Sequence, residues 1–87
     1  MAYRLLHTFG GKGNGPGQWA STLCGLAVDT RGRLLAAGGS HIQTLQAGSG
    51  APISRWSTAA PVHSVSCDPK GRVVTGHSGH VDFHDPA

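Results

Sequence analysis

The chain has 87 residues, of which 14 are glycine and 5 are proline, and only 38% are hydrophobic. A single domain of this length buries a limited share of its surface, and two cysteines offer at most one disulfide as a staple. The net charge of +3 comes from scattered basic residues, which does not favour a nucleic-acid partner. No apolar run approaches the roughly 18 residues that span a bilayer, so no membrane partner is expected either.

The N-terminal segment and the cysteines bear on cellular location. Residues 1–9 are too short and too polar to form a secretory signal peptide. Cys24 and Cys67 are expected to be free thiols inside strands, where cysteine behaves as a small apolar group. Free thiols favour an intracellular, cytoplasmic origin, because that compartment keeps cysteines reduced.

An internal repeat organises the chain. The segment Asp29–Ile42 (DTRGRLLAAGGSHI) aligns with Asp68–Val81 (DPKGRVVTGHSGHV), and both pairs of end residues are 39 positions apart (68 − 29 and 81 − 42). Each copy begins with an Asp-x-x-Gly turn, and this chemistry closes a hairpin. A repeat of roughly this length, built from short strands and turns, is typical of propeller blades.

The predicted elements are all β-strands, since apolar and polar or small residues alternate with a period of two. In Leu23–Val28 large residues alternate with Gly25 and Ala27, which suits a strand packed on both sides by neighbouring sheets. In chain order the predicted strands are Tyr3–Phe9, Leu23–Val28, Arg33–Ala37, His41–Gln46, Ile53–Ser57, Val62–Cys67, Arg72–Thr75 and His80–His84.

These strands predict one module, residues 1–87, that contains two blades. Residues 23–57 supply four strands of the first blade, and residues 62–84 supply three strands of the second. Residues 3–9 have no hairpin partner of their own, so we expect them to complete the last blade of a neighbouring chain. The side chains expected to close that contact between chains are Tyr3, Leu5, Leu6 and Phe9.

The residues also carry a family resemblance. The segment FGGKGNGPGQW (residues 9–19), followed by GLAVDTRGRLLAAG (residues 25–38), resembles a blade of the NHL-repeat propellers. The second unit, PVHSVSCDPKGRVVTGHSGHVDFHDP, is similar to WD-repeat blades, although His84-Asp85 and Leu45-Gln46 stand where the Trp-Asp dipeptide is usual. The resemblance implies an all-β fold of two four-stranded antiparallel propeller blades.

Two blades cannot close a ring, since propellers carry about four to eight and repeat units need neighbours to bury their faces. Cyclic association of identical chains supplies the missing blades. NHL-type propellers typically have six blades, so the resemblance favours a homotrimer, with an eight-bladed homotetramer as the alternative. The sequence is equally compatible with an engineered chain and with one excised from a larger propeller.

Candidate binding residues lie in two connections. The glycine-rich run Gly10–Gly17 contains Lys12 but lacks the Gly-Lys-Ser/Thr ending and the following helix of a phosphate-binding loop. It is therefore interpreted as a long connection between blades, and such loops often carry binding sites. The predicted contacts for a protein or glycan ligand are Gln18 and Trp19 at the end of this connection and His77 in the Gly76–Gly79 turn. For Trp19 the alternative is that its ring packs in the core.

Three histidines near the C-terminus, His77, His80 and His84, raise the question of a metal. On one strand His80 and His84 would share a face but stand roughly 13 Å apart, too far for one tetrahedral ion. No metal, cofactor or catalytic residue is therefore expected, and no defensible catalytic triad or carboxylate pair is evident.

Three functions remain open at this level. The favoured one is a self-assembling, non-enzymatic propeller that acts as a scaffold or interaction protein. The first alternative is a lectin-like or small-ligand-binding propeller. The second alternative is an enzyme that uses histidine or a metal in the central channel of the propeller.

Overall fold

Two antiparallel sheets make up the fold. The computed structural model describes residues 2–6 and 8–85, and in them it shows β-strands but no helix, hence none that could cross a membrane. Sheet 1 has the strand order β1-β2-β3-β4 and sheet 2 the order β5-β6-β7, which confirms the all-β class. The strands are β1 Leu23–Val28, β2 Leu34–Gly38, β3 His41–Leu45, β4 Pro52–Ser57, β5 Ser64–Cys67, β6 Val73–Gly76 and β7 Val81–His84.

The predicted strand boundaries agree closely with these ranges. β1 is confirmed to the residue, and the strands that follow it differ from their predictions by one or two positions at one or both ends. The segment Tyr3–Phe9 is not a strand at residues 3–6 and 8–9, and position 7 lies outside the described residues. Its predicted partner belongs to another chain, so that pairing stays a prediction.

The same turn closes the first hairpin of each sheet. Asp29 Oδ1 accepts hydrogen bonds from the backbone N–H groups of Arg31 (2.9 Å) and Arg33 (2.8 Å), and Oδ2 accepts from Arg33 Nε at 2.7 Å. Gly32 adopts a φ of 76°, a left-handed conformation that favours glycine. All of these features recur at Asp68, with every partner moved by 39 positions. The sequence repeat is therefore a structural repeat.

Each sheet has two faces, which the pairing register defines. We name them the A face and the B face. Adding 39 to the number of each residue on a face of sheet 1 gives the equivalent residue on the same face of sheet 2. The A face of sheet 1 comprises Gly25, Ala27, Leu35, Ala37, Ile42 and Thr44, and that of sheet 2 comprises Ser64, Ser66, Val74, Gly76, Val81 and Phe83. The B face of sheet 1 comprises Leu26, Val28, Leu34, Ala36, Gln43 and Leu45, and that of sheet 2 comprises Val65, Cys67, Val73, Thr75, Asp82 and His84.

The main core lies between the A face of sheet 1 and the B face of sheet 2. Its buried members are Leu35, Ala37, Ile42, Val62 and Val65, with Ala27, Trp56, Cys67 and Val73 packed around them. Within the chain, β1 is thus covered only on its small-residue face. Among the described residues no second sheet covers its B face, so the expected packing on both sides stays a prediction that depends on a neighbouring chain.

The B face of sheet 1 is covered only in part. Trp19 packs on Ala36 and Leu45, with Phe9 and Leu34 beside them, so the segment before β1 shields the middle strands. The large side chains of β1 on this face remain exposed, as do those of β7 on the A face of sheet 2. Two apolar surfaces, one at each end of the two-sheet stack, therefore lack a cover from the described part of the chain.

Candidate functional site

Contacts link several of the connections at one end of the two sheets. Trp19 lies so close to the β2–β3 turn that a Cβ on Gly38 would stand 3.0 Å from its Cδ1 atom. The backbone N–H of Val62 donates to the carbonyl of Gly39 at 2.8 Å, which joins this turn to the chain that leads into sheet 2. Pro61, next to Val62, accepts a hydrogen bond from His77 Nδ1 at 2.8 Å.

The glycine-rich loop is fastened to sheet 1 by a buried glutamine. Gln43 Nε2 donates to the Gln18 carbonyl at 2.6 Å, and Gln43 Oε1 accepts from the Gly17 N–H at 2.8 Å. Farther along the loop, Arg55 Nη1 donates to the Asn14 carbonyl at 2.7 Å. These contacts hold the backbone of the loop against the B face of sheet 1.

Gln18 and Trp19, two of the predicted ligand contacts, have different surroundings. The Gln18 side chain is exposed and accepts a hydrogen bond from Gly15 N–H inside the loop. The Trp19 ring is buried, and its Nε1 has no hydrogen-bond partner among the described residues. An open cleft of about 350 Å³ lies beside the ring and is lined by loop residues that include Lys12 and Ser21. Binding of a ligand by Gln18 and Trp19 stays a prediction.

His77, the third predicted contact, lies in the turn that follows β6, and its side chain has an exposed fraction of 0%. Its Nδ1 faces a carbonyl oxygen, that of Pro61, and so must carry a proton and donate it. In the neutral ring Nε2 then accepts, and the Thr75 hydroxyl lies 2.7 Å from it. The ring is thereby oriented by a hydrogen bond on each side.

A cluster of three potential metal ligands forms around this ring. The β6–β7 turn is tight: His77 N–H donates to the His80 carbonyl at 2.9 Å, and the two imidazole rings stack with centroids 4.6 Å apart. Asp82 Oδ2 lies 3.3 Å from His77 Nε2 and 3.5 Å from His80 Nε2. All three ligand atoms lie within 4.8 Å of one another.

His84, the third histidine that raised the question of a metal, lies outside the cluster. His84 Nε2 lies 2.9 Å from Thr75 Oγ1, and its ring packs edge-on against Trp56. The signal that could have identified the cluster is the pair His77 and His80, which flank a two-residue turn. Residues that flank such a turn face each other across a hairpin, and Asp82 follows on the same face.

The first cysteine departs from its predicted place. The pairing of β1 and β2 shifts register between Leu23 and Gly25, so Cys24 lies in a bulge rather than in line with the B face. Its thiol donates to the Val62 carbonyl at 2.6 Å. Cys67 lies half-buried against the main core, as a small apolar residue would.

The predicted closure residues differ in exposure. The side chains of Tyr3, Leu5 and Leu6 are almost wholly exposed. Phe9 is half-buried and lies against Gly50 in the β3–β4 turn. Three large apolar side chains within residues 3–6 are thus exposed ahead of Phe9.

Comparison of the chain with protein-family models gives no match, and comparison with curated proteins gives none either.

Proposed function

We propose that this chain is a self-assembling, non-enzymatic β-propeller module whose copies supply two blades each. The observation that supports this most directly is that the core joins unlike faces of two equivalent sheets. The A face of sheet 1 packs on the B face of sheet 2, and each sheet also carries the other face. A further copy can therefore add at either end through the same kind of contact.

The exposure of equivalent residues supports the proposal. On the B faces, Val65 is 9% exposed whereas its equivalent in sheet 1, Leu26, is 60% exposed. On the A faces, Ile42 is 0% exposed whereas its equivalent in sheet 2, Val81, is 61% exposed. In each pair an apolar residue is buried where a second sheet covers it and exposed where the chain provides none. Burying such apolar surface is the principal favourable term in association.

The contact between copies is head-to-tail, because the A face of sheet 2 meets the B face of sheet 1. Such heterologous contacts close into rings when the rotation per subunit permits. The resemblance to six-bladed NHL-type propellers favours a trimer, with a tetramer of eight blades as the alternative. In either ring, residues 3–9 would pair with β7, whose outer edge has no partner strand among the described residues. That pairing would also cover Tyr3, Leu5 and Leu6.

The experiment is to measure the native mass of the wild-type protein and of two single variants, each with an arginine on one of the two apolar surfaces. Wild-type protein is expected to have the mass of a trimer by light scattering and native mass spectrometry. Leu26→Arg blocks the B face of sheet 1, and Val81→Arg blocks the A face of sheet 2. Each variant alone is expected to be a monomer.

A mixture of the two variants gives the most specific result. Each variant retains one intact surface, and these two surfaces are complementary, so the mixture is expected to form a dimer of one chain of each kind. Val28→Thr, a milder change on the same face as Leu26, is the control and should keep the wild-type mass. A folded, monodisperse wild-type monomer would refute self-assembly, and a mixture that stays monomeric would refute the head-to-tail arrangement.

A further inference from the structure

We infer that His77, His80 and Asp82 form a binding site for a divalent transition-metal ion of the Zn²⁺ type. The ligand atoms would be Nε2 of each histidine and Oδ2 of the aspartate. Imidazole nitrogens and a carboxylate oxygen are a donor set that Zn²⁺ accepts. Neither the repeat nor the proposed assembly requires this site.

Two of the three distances between the ligand atoms suit one ion. Zn²⁺ bonds of about 2.0–2.2 Å in tetrahedral geometry place neighbouring ligand atoms about 3.3 Å apart. Asp82 Oδ2 lies 3.3 Å from His77 Nε2 and 3.5 Å from His80 Nε2. The carboxylate is therefore already at ligand spacing from both imidazoles.

The tautomer of His77 is the one that a metal requires. A histidine ligand commonly donates its other ring N–H to a carbonyl or carboxylate, which fixes the ring and directs its lone pair. His77 Nδ1 lies 2.8 Å from the Pro61 carbonyl and so donates to it, leaving the lone pair on Nε2. Without the ion, the Thr75 hydroxyl donates its proton to this lone pair. When an ion binds there, the hydroxyl can donate instead to His84 Nε2, which lies 2.9 Å away.

The two other ligands can adjust to an ion. The rings of His77 and His80 stack almost in parallel, with an angle of 10° between them, so His80 must rotate to aim its lone pair at the ion. Its side chain is 47% exposed and that of Asp82 is 35% exposed, which leaves room for this rotation. The exposed side also leaves a fourth position for water, and three protein ligands plus water is a common zinc arrangement.

The other half of the repeat provides an internal comparison. The positions equivalent to His77, His80 and Asp82 in the first unit are Gly38, His41 and Gln43 (77 − 39, 80 − 39 and 82 − 39). Glycine offers no ligand there, and both polar side-chain atoms of Gln43 hold the glycine-rich loop. The first unit therefore keeps one of the three donors, and the expected stoichiometry is one ion per chain.

The test is calorimetric titration of the full chain with Zn²⁺, compared across single variants. Wild-type protein is expected to bind one ion per chain, and His80→Ala and Asp82→Asn should each weaken binding at least roughly tenfold. Both residues are partly exposed, so these variants should fold, which circular dichroism checks. His63→Ala removes an exposed histidine outside the cluster and should leave the affinity unchanged. Loss of affinity in His63→Ala, or none in His80→Ala, would overturn the assignment.

Binding of Co²⁺ as a spectroscopic probe identifies the donor atoms. The proposed site predicts the visible bands of cobalt bound by nitrogen and oxygen, without the thiolate-to-cobalt charge-transfer band that Cys24 or Cys67 would produce. A thiolate band in the wild-type complex would place the ion elsewhere and refute the proposal. Absence of any saturable binding would refute it equally.

Discussion

Gly25 of β1 lies directly against Val65 of β5, at a spacing that leaves little room for a side chain at position 25. A Cβ at position 25 would stand 3.0 Å from Val65 Cγ1 and 3.1 Å from the Val65 backbone nitrogen. A side chain can rotate away, but the backbone nitrogen of β5 is held in its strand. The spacing of the sheets therefore depends on the absence of a side chain at position 25.

Gly25→Ala is expected to lower the free energy of unfolding by about 1–3 kcal/mol, the usual cost of overpacking a filled core. Urea unfolding at a fixed protein concentration measures it. The control is Ser64→Ala at the equivalent position of sheet 2, which is exposed within the chain and should change stability by less than about 0.5 kcal/mol. Equal effects of the two changes would contradict the packing described for β1 and β5.

Gln43→Leu should release the glycine-rich loop from β3 while it keeps a side chain of similar size at this buried position. The change removes the bonds to Gly17 N–H and to the Gln18 carbonyl, so the loop loses its attachment to β3. Tryptic cleavage after Lys12, which lies in that loop, is expected to become several-fold faster, because cleavage follows local opening. Cleavage after Arg31, in the β1–β2 turn, is the control in the same digest and should keep its rate.

The two Asp–Arg turns predict a loss of stability in acid. Burial acts to raise the pKa of Asp29, but the hydrogen bonds from Arg33 and Arg31 outweigh it, so the pKa is lower than its ordinary value of 3.8. At Asp68, burial again acts to raise the pKa, and the bonds from Arg72 and Lys70 outweigh it. A carboxyl group with a lowered pKa stabilises the fold above its unfolded-state pKa, and this contribution is lost as pH falls through the folded-state value.

We therefore expect the urea midpoint of the wild type to fall as pH is lowered from about 5 to about 3. The double variant Asp29→Asn, Asp68→Asn should be less stable at neutral pH and should show a flatter dependence over this range. An unchanged slope in the double variant would show that other carboxyl groups cause the acid sensitivity.

His41 predicts a second, separate pH dependence. Its Nε2 is buried with no hydrogen-bond partner in the described part of the chain, and burial, with the nearby charge of Arg55, lowers its pKa from the ordinary 6.5. Below pH 6.5 the unfolded chain takes up a proton that the folded chain resists, so stability falls. His41→Gln should reduce the loss of stability between about pH 7.5 and about pH 5.5, whereas His63→Gln should not.

The sequence predicts the strands and turns well because their signals are local. Both the alternation in Leu23–Val28 and the Asp-x-x-Gly turns depend on residues that are neighbours along the chain. The structure contains the predicted strand and both turns. The same alternation identified a face of large residues and a face of small residues on β1. It could not tell which face the chain covers, because that depends on where the second sheet packs.

The candidate site was harder to predict because its contacts cross the fold. Distance along a strand predicts a large separation between His80 and His84, and His84 lies outside the cluster. The proximity of His77 and His80 depends on a tight hairpin turn between them. Trp19 illustrates the same limit: its place against Gly38 depends on how the preceding loop folds back over sheet 1.

The packing of sheet 1 on sheet 2 also determines which contacts would be lost first when the protein is diluted. Within a chain the two sheets are tethered by the few residues between β4 and β5, so their effective concentration is high and their contact persists at any dilution. The contact proposed between chains has no tether, so its formation obeys mass action. Dilution should therefore separate an assembly into intact two-sheet chains before either sheet unfolds.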